Sequence, residues 1–393
     1  MSAGIHMQAT PGSDGLQLPR LDYWLVLAVC SLLGLGLVMV ASASLHKLEG
    51  APFYYVNRHL IALFLGIVGA WLVALIPVTY WNKAGASLYL LGLILLALVL
   101  LPGLGREANG AVRWIPIGPF NLQSSEFMKL FLVIYIAGYL VRRQEEVATR
   151  IWGFLKPVAL LLLAASLIML EPDFGTTAVL MATAMGMLFL GGVPLWQFGV
   201  LVSLAASAMV GLIYFSRYRL DRVTAFLDPW ADVEGNGYQL AQALIAFGRG
   251  EWLGVGLGAG IQKQFYLPEA HTDFLMAVIG EELGLAGTMV VILLFALIVG
   301  RAFLIGIQAE KLGDRFSSYV AQGLGLWLGI QSFINIGVNV GLLPTKGLTL
   351  PFMSYGGNSI IVACIVAGML VRIDYENRLG VSKTVGERRW ARA

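Results

Sequence analysis

Several ionisable side chains interrupt or border long apolar stretches of this 393-residue chain. At membrane depth such a group costs at least ~2.5 kcal/mol, so each one marks a candidate functional position. Asp273 directly precedes a long apolar run. An aspartate at a helix start can simply be a cap, because its carboxylate accepts orphan backbone N–H groups. Thr272 could be that cap instead, which would leave Asp273 available for catalysis.

Glu126 and Lys129 are spaced i, i+3 at the start of another apolar run. On a helix this spacing places the two side chains on one face, within reach of an ion pair. The pair could be structural and let the helix enter the membrane. It could also form one wall of an outward-opening cavity, and the two roles are compatible.

Glu281 and Glu282 lie about two turns beyond Asp273, and Glu281 falls on roughly the same helical face. Buried carboxylates need polar partners. A later apolar run offers a stripe of amides at i, i+4 and i+8, which should face the interior of the bundle: Gln331, Asn335 and Asn339. We expect this stripe to supply the partners, mainly as hydrogen bonds between helices.

A segment containing Pro344, Gly347 and Pro351 should break any helix at this point of the chain. Irregular backbone near membrane depth is tolerated where protein buries it or where it lines a wet cavity. Lys346 is the sole basic residue there, and its point charge suits a phosphate-bearing ligand. Arg222 is an alternative phosphate contact.

The amino-acid composition indicates that these ionisable groups belong to a membrane protein. Charged residues make up 12% of the chain and hydrophobic residues 58%, with a mean hydropathy of +0.78. A soluble domain has about 25% charged residues, so a soluble globular enzyme and a disordered chain are both excluded. The net charge of +3 is too small to indicate nucleic acid. Two cysteines, Cys30 and Cys364, lie in apolar runs and are expected to be buried.

The apolar runs predict an all-α polytopic membrane protein with about ten transmembrane helices, since each crossing takes roughly 20 residues. The predicted helices are 23–43, 59–76, 85–101, 127–141, 155–170, 174–192, 195–215, 274–300, 318–342 and 358–371.

Four parts of the chain follow from this pattern: an N-terminal tail, 1–22, a membrane domain, 23–371, a long loop within it, 216–273, and a basic tail, 372–393. Cytoplasmic segments of membrane proteins carry an excess of Lys and Arg. If both termini are cytoplasmic, 15 of the 26 basic residues lie on the inner side. We therefore predict cytoplasmic termini and a periplasmic loop between helices 7 and 8. The residues alone then give an outward-facing polar site, which fits either a transferase acting on an amphiphile or a transporter.

The chain resembles the SEDS family (shape, elongation, division, sporulation), the bacterial cell-wall glycan polymerases. The most specific matches are Asp-Pro-Trp-Ala-Asp at 228–232, Tyr-Leu-Pro-Glu-Ala-His-Thr-Asp-Phe at 266–274, Glu-Glu-Leu-Gly at 281–284, Pro-Thr-Lys-Gly at 344–347 and Ser-Tyr-Gly-Gly at 354–357. Within the family the chain resembles the cell-division member more than the elongation member, in part through Val-Met-Val-Ala-Ser-Ala-Ser at 38–44. One departure is Glu171, where many relatives have glutamine, which weakens any specific role for that position.

The resemblance implies a peptidoglycan glycosyltransferase that polymerises lipid II at the periplasmic face of the bacterial inner membrane, at the division septum. Asp273 matches the family's essential aspartate, which implies a general base on the acceptor 4-hydroxyl. The substrate and pyrophosphate would be bound by Lys346, Arg113, Lys129, Glu126, Arg222, His271 and Ser354. The supporting polar network would consist of Asp173, Glu281, Glu282, Asn335 and Asn339.

The resemblance also implies partners and a cofactor. The partners are a class B penicillin-binding protein (a transpeptidase of the FtsI type) and other divisome proteins, and the cofactor is a divalent cation, Mg²⁺ or Mn²⁺. Two alternatives stay open: a flippase that moves lipid II across the membrane, and a non-catalytic division scaffold.

Overall fold

The computed structural model describes residues 21–47, 51–108, 111–118, 120–215, 217–235, 237–345 and 347–390. The chain folds into a helical bundle with one small sheet. Its helices are α1 Tyr23–Ser44, α2 Tyr54–Leu75, α3 Val78–Val99, α4 Ser124–Arg142, α5 Gln144–Thr149, α6 Ile151–Leu170, α7 Phe174–Leu190, α8 Leu195–Tyr214, α9 Arg217–Leu227, α10 Tyr238–Gly250, α11 Leu275–Lys311, α12 Arg315–Asn339 and α13 Gly357–Trp390.

All ten predicted apolar segments coincide with helices, and the helical fold class is confirmed. Within the described ranges, seven helices are long and apolar enough to cross a membrane: α1, α2, α3, α4, α6, α11 and α13. The remaining three, α7, α8 and α12, complete the predicted set. The chain is therefore an integral membrane protein. The number of crossings and the side on which the termini lie stay predictions.

The fold departs from an all-α protein in the segment between α3 and α4. Three short antiparallel strands form a sheet in the order β1-β2-β3: β1 Arg106–Ala108, β2 Ala111–Ile117 and β3 Phe120–Gln123. Hairpins pair their backbone groups locally, which lets this connection keep an ordered structure at the edge of the bundle.

Three further expectations need correction. The long loop 216–273 contains two helices, α9 and α10. The last helix does not end at 371 but continues to Trp390, so most of the predicted basic tail is helical. Cys30 is exposed on α1, whereas Cys364 is buried as expected. A cysteine on a membrane-spanning helix can face lipid without cost, because it behaves as a small hydrophobe. The predicted tail 1–22 lies outside the described residues except for its last two.

Helix α4 lies at the centre of the bundle and α2 near its periphery. Over the most apolar 18 residues of each helix, 83% of the residues are buried inside the protein in α4 but only 22% in α2. Helix α2 packs mainly on α13, and α11 packs on α12, α10 and α1. Polar residues on α4 and α12 are therefore shielded from lipid and must find partners within the protein.

Helix α11 is broken at Gly284, whose backbone is non-helical (φ 65°, ψ −162°). The backbone groups freed by the break bind the segment after α10. The amides of Leu285 and Ala286 donate to the carbonyls of Glu251 (2.9 Å) and Trp252 (3.0 Å). The break lies about 14 Å along α11, at 1.5 Å per residue. Part of the predicted periplasmic loop therefore runs alongside the helix at that depth.

We expect Gly284→Ala to destabilise the protein by about 1–3 kcal/mol, because a side chain is strained in this conformation. A β-carbon at this position would also overlap the backbone from Trp252 to Gly254. The measurement is thermal unfolding of the purified protein in detergent. The control is Gly300→Ala in the same helix, where a β-carbon meets no atom within 4 Å. Equal melting temperatures for the two variants would contradict this account of the break.

Candidate active site

Asp273 lies in a turn that two amides of α12 hold in place. Its backbone carbonyl accepts hydrogen bonds from Nδ2 of Asn335 (3.0 Å) and Nδ2 of Asn339 (2.9 Å). Oδ1 of Asn339 accepts from the amide of Ala277 in the first turn of α11 (3.1 Å). The α12 stripe thus fixes the start of α11 and Asp273, which lies two residues before it.

The structure corrects the expected capping of this helix. Helix α11 begins at Leu275, and Phe274 occupies the cap position without a side-chain hydrogen bond. The hydroxyl of Thr272 donates to the carboxylate of Glu269 (2.8 Å) instead of accepting from the helix. Neither Asp273 nor Thr272 is therefore a helix cap, and the Asp273 carboxylate is not used for that purpose.

The Asp273 carboxylate is partly buried and in the described chain accepts no hydrogen bond from another group. Burial raises the pKa of Asp273 to about 7, with smaller contributions in the same direction from Glu269 and Asp173 and an opposing one from Arg113. The irregular segment after α12 passes close by, since a β-carbon at Gly347 would lie 3.2 Å from Oδ2 of Asp273. A carboxylate with this pKa exchanges a proton near neutral pH.

The turn between α6 and α7 contributes a second acidic group. Asp173 is buried and caps α7, accepting from the amide (3.1 Å) and the hydroxyl (2.8 Å) of Thr176. Glu171 is completely buried, and its nearest hydrogen-bond donor is the Ser124 hydroxyl at 3.5 Å. Burial, and then the charge of Asp173, raises the pKa of Glu171 to about 8. Glu171 departs from the family pattern at this position. The sequence therefore gives no indication of this neutral carboxyl group beside the site.

Arg113 holds this turn by its backbone. From strand β2 its guanidinium donates to the carbonyls of Glu171 (Nε, 3.0 Å) and Pro172 (Nη2, 2.5 Å). The described geometry therefore supports a positioning role for Arg113, while its positive charge also acts on Asp273. Arginine presents five N–H donors, so two occupied donors leave others for an anionic ligand.

Lys129 and Glu126 form the predicted ion pair, with Nζ 2.9 Å from Oε1 of Glu126. Lys129 also donates to Oε1 of Gln331 (2.8 Å) and lies over the ring of Trp327. The lysine side chain is only 2% exposed. Its charge is thus compensated inside the bundle, which favours the structural role over the predicted contact with pyrophosphate.

Glu281 and Glu282 do not pair with the α12 stripe, which corrects the expected network. Glu281 accepts from the amides of Ile261 (2.9 Å) and Gln262 (3.1 Å), which lie in the loop before α11. Glu282 forms a fully buried ion pair with Lys263 (2.5 Å). The two glutamates therefore anchor the loop that follows α10.

Lys263 is a buried charged residue that the sequence does not single out. Its Nζ also donates to the hydroxyl of Ser42 on α1 (2.6 Å), and Ser42 donates to Glu282 (2.8 Å to Oε2). In the sequence Lys263 is one basic residue among several in a loop, and nothing local indicates that it is buried. The tight Lys263–Glu282–Ser42 cluster explains how the loop can carry a charge at this depth.

Of the remaining predicted site residues, two are buried in the described structure and the side chains of the other two are not described. His271 is buried, and burial, followed by the charge of Lys47, lowers its pKa to about 4, so the imidazole is neutral. The hydroxyl of Ser354 is buried and accepts from the amide of Leu350 (2.9 Å), which fixes the irregular segment. Lys346 lies outside the described residues, as does the side chain of Arg222 on α9. Their predicted roles in phosphate binding stay predictions.

A divalent cation such as Mg²⁺ needs several oxygen ligands at one place. Among the described residues no group of three or more His, Cys, Asp and Glu side chains is arranged to hold a metal ion. Asp273 and Asp173 supply two carboxylates near one another, and Asp173 is already used as a cap. These residues do not fit a resident metal site.

Comparisons with known proteins match nearly the whole chain. The family model FtsW/RodA/SpoVE, described as a cell cycle protein, covers residues 23–379. A probable peptidoglycan glycosyltransferase FtsW of Allochromatium vinosum is 55% identical over 378 residues, which cover 95% of each chain. The FtsW of Nitrosococcus halophilus, which carries the same description, is 54% identical over 94% of this chain and 95% of its own.

Two solved structures share the fold. One is a chain from a peptidoglycan synthase complex in which polymerization and crosslinking are coordinated, with a TM-score of 0.75 and 29% identity. The other is the rod shape determining protein RodA of Thermus thermophilus, with a TM-score of 0.68 and 27% identity. Each match covers 91% of this chain and 98% of the other.

The buried ion pair gives a testable prediction. We expect Lys129→Met and Glu126→Gln each to destabilise the protein by about 3–5 kcal/mol, because each leaves one buried charge without its partner. The double variant should lose less than the sum of the two single losses. Thermal unfolding in detergent measures all three.

The matched control is Arg143→Gln, which removes the exposed Arg143–Glu146 pair at the same i, i+3 spacing and should have little effect. Additive losses in the Lys129 and Glu126 variants would show that the two side chains are not coupled.

Proposed function

The chain belongs to the FtsW/RodA/SpoVE family of cell cycle proteins, and we propose that it is a peptidoglycan glycosyltransferase that polymerises lipid II during cell division. The observation that carries the proposal is the carboxylate of Asp273, held by its backbone but unoccupied by hydrogen-bond donors in the described chain. Such a group is available to a substrate. The protein is an integral membrane protein, as an enzyme acting on a polyprenyl-linked substrate needs to be.

In the proposed reaction the acceptor sugar's 4-hydroxyl oxygen attacks C1 of the donor sugar. A new C1–O bond forms while the bond between C1 and the polyprenyl pyrophosphate breaks, with inversion at C1. The hydroxyl proton passes to the Asp273 carboxylate, and the pyrophosphate leaves with the electron pair of the broken bond. Asp273 is thus the general base.

The pKa of Asp273 supports this role. An ordinary aspartate has a pKa near 3.9 and is a weak base at neutral pH. Burial and the neighbouring carboxylates raise the pKa of Asp273 to about 7, which matches the pH at which the proton must be taken up. The carboxylate is also positioned, because Asn335 and Asn339 fix its backbone from α12.

The leaving pyrophosphate requires positive charge on the same side of the site. Arg113 is the described cation that acts on Asp273, and two of its donors already hold the turn at 171–172. We propose Lys346 and Arg222 as further contacts to the pyrophosphate. The residues described above do not provide a ligand set for a divalent cation, and no step of the reaction is assigned to one.

We propose that the site faces the periplasm at the division septum of the inner membrane, and that a class B penicillin-binding transpeptidase is the partner. Similarity to a chain from a complex that coordinates polymerization with crosslinking supports a partner of this class. Other division proteins are further proposed partners. The excess of basic residues in the predicted cytoplasmic segments supports the orientation.

We expect Asp273→Asn to reduce lipid II polymerisation at least about 100-fold, the lower end of what a general base contributes. The assay uses purified full-length protein in lipid nanodiscs, with and without the transpeptidase. Size-exclusion profiles and melting temperatures check that the variant is folded. Wild-type activity in a folded Asp273→Asn protein would eliminate Asp273 as the base. Transfer of lipid II across vesicles by both proteins, without polymer, would favour the flippase.

We expect the polymerisation activity to fall at acidic pH. Because the base must be ionised, kcat/KM should fall about tenfold per pH unit below the Asp273 pKa of about 7. Glu269 raises that pKa, so Glu269→Gln should move the acid limb to lower pH. The control, Glu310→Gln, changes an exposed carboxylate near the opposite end of α11 and should leave the limb in place. A limb that does not move in Glu269→Gln would contradict the assignment of the limb to Asp273.

A further inference from the structure

A cluster of aromatic rings lies beside the turn that carries Asp273. It consists of Tyr55 and His59 on α2, His271 in the turn, and Tyr355 before α13, and we call it the tyrosine–histidine cluster. The ring of Tyr55 lies edge-to-face with that of His271 (centroids 4.7 Å apart) and with that of Tyr355 (5.3 Å). His271 and Tyr355 are 5.3 Å apart, and the rings of His59 and Tyr355 are stacked at 6.2 Å.

A backbone hydrogen bond joins the cluster to the turn that carries the proposed base. The amide of Tyr355 donates to the carbonyl of His271 (2.9 Å), two residues before Asp273. The segment on the other side of Tyr355 is fixed by Ser354, whose hydroxyl accepts from Leu350. The cluster therefore contributes a residue, His271, to the turn that carries Asp273, and this turn is already ordered by backbone hydrogen bonds.

One edge of the cluster is open. Tyr55 and Tyr355 are partly exposed, and the adjacent Tyr54 is 43% exposed. Arg58 lies at this edge: its guanidinium donates to the hydroxyl of Tyr54 (2.8 Å) and its charge acts on the hydroxyl of Tyr355. Both phenol rings are thus held in place while part of their surface faces outward.

The inner edge carries polar atoms without partners. His59 is 1% exposed and His271 is 4% exposed. Both ring nitrogens of His59 and Nδ1 of His271 have no hydrogen-bond partner among the described residues. Buried polar atoms are almost always paired. Three of these nitrogens in one cluster leave polar atoms whose hydrogen bonds a bound ligand can supply.

We propose that the tyrosine–histidine cluster is a subsite for a pyranose ring of the acceptor glycan. Aromatic rings pack against the apolar C–H face of a sugar, and phenol hydroxyls and imidazole nitrogens pair with its hydroxyl and amide groups. The cluster suits a sugar ring better than the donor pyrophosphate, because its members are aromatic rings packed against one another. The attacking hydroxyl also has to reach Asp273, which directly adjoins the cluster. This assignment rests on the proposed function.

The test compares Tyr55→Leu, which removes the ring, with Tyr55→Phe, which keeps it. The control, Tyr80→Leu, replaces a tyrosine at the opposite end of the bundle that is 62% exposed. Two quantities are measured for each: KM and kcat of lipid II polymerisation, and the Kd for lipid II in nanodiscs in an Asp273→Asn background. We expect Tyr55→Leu to raise KM and Kd about five- to tenfold, the range of an aromatic contact, with kcat changed less than twofold. Tyr80→Leu should stay within twofold of wild type, and Tyr55→Phe, which keeps the ring but loses the hydroxyl, should raise Kd less than Tyr55→Leu does.

Unchanged KM and Kd in folded Tyr55→Leu would overturn the subsite, as would a loss confined to kcat. If Tyr55→Leu does not fold, Tyr54→Leu at the open edge is tested in its place. An unchanged Kd for lipid II in that variant would also overturn the subsite. The binding measurement is independent of turnover. If the wild type binds lipid II but makes no polymer, the proposed function fails while the Kd comparison still decides the subsite.

Discussion

The polar stripe of α12 is the interaction on which the site depends. Gln331 accepts from Lys129 on α4 and donates to the carbonyl of Thr349 (3.0 Å) in the irregular segment. Asn335 donates to the carbonyls of Asp273 and Leu348, and Asn339 to that of Asp273. In an apolar bundle such hydrogen bonds have no competition from water. One helix face therefore fixes the central lysine, the irregular segment and the candidate base relative to one another.

A second constraint is that charge is rare in this chain, so each buried charge needs a defined partner. Lys129 is paired with Glu126, and Lys263 with Glu282, and all four side chains are almost completely buried. Such pairs add little net stability, but removing one partner is costly. Their consequence is geometric: the Lys263–Glu282 pair locks the loop after α10 to α11, and Lys129 of the other pair also donates to Gln331, which links α4 to α12. Asp273 differs from these groups, because in the described chain its carboxylate has no such partner.

The broken helix explains how an irregular loop can lie beside a membrane-spanning element. Gly284 opens the hydrogen-bond ladder of α11, and the backbone at 251–252 closes it again. Glu281 and Glu282 lie just before the break and bind another part of the same loop. The first part of α11 is thus held by the loop that precedes it, while Asn335 and Asn339 of α12 hold Asp273.

The sequence by itself determined the helices, the Glu126–Lys129 pair, the α12 stripe and Asp273 as a candidate functional position, while its role as a base came only from the family resemblance. These features are local, because they follow from apolar run length, helical spacing and the cost of a charge at membrane depth. Only the tertiary structure decided the partners of Glu281 and Glu282, the burial of Lys263 and Glu171, and the meeting of Tyr55 with His271 and Tyr355. A sequence reveals that a buried carboxylate needs a donor. Which donor reaches it depends on packing between segments far apart in the chain, which no local periodicity specifies.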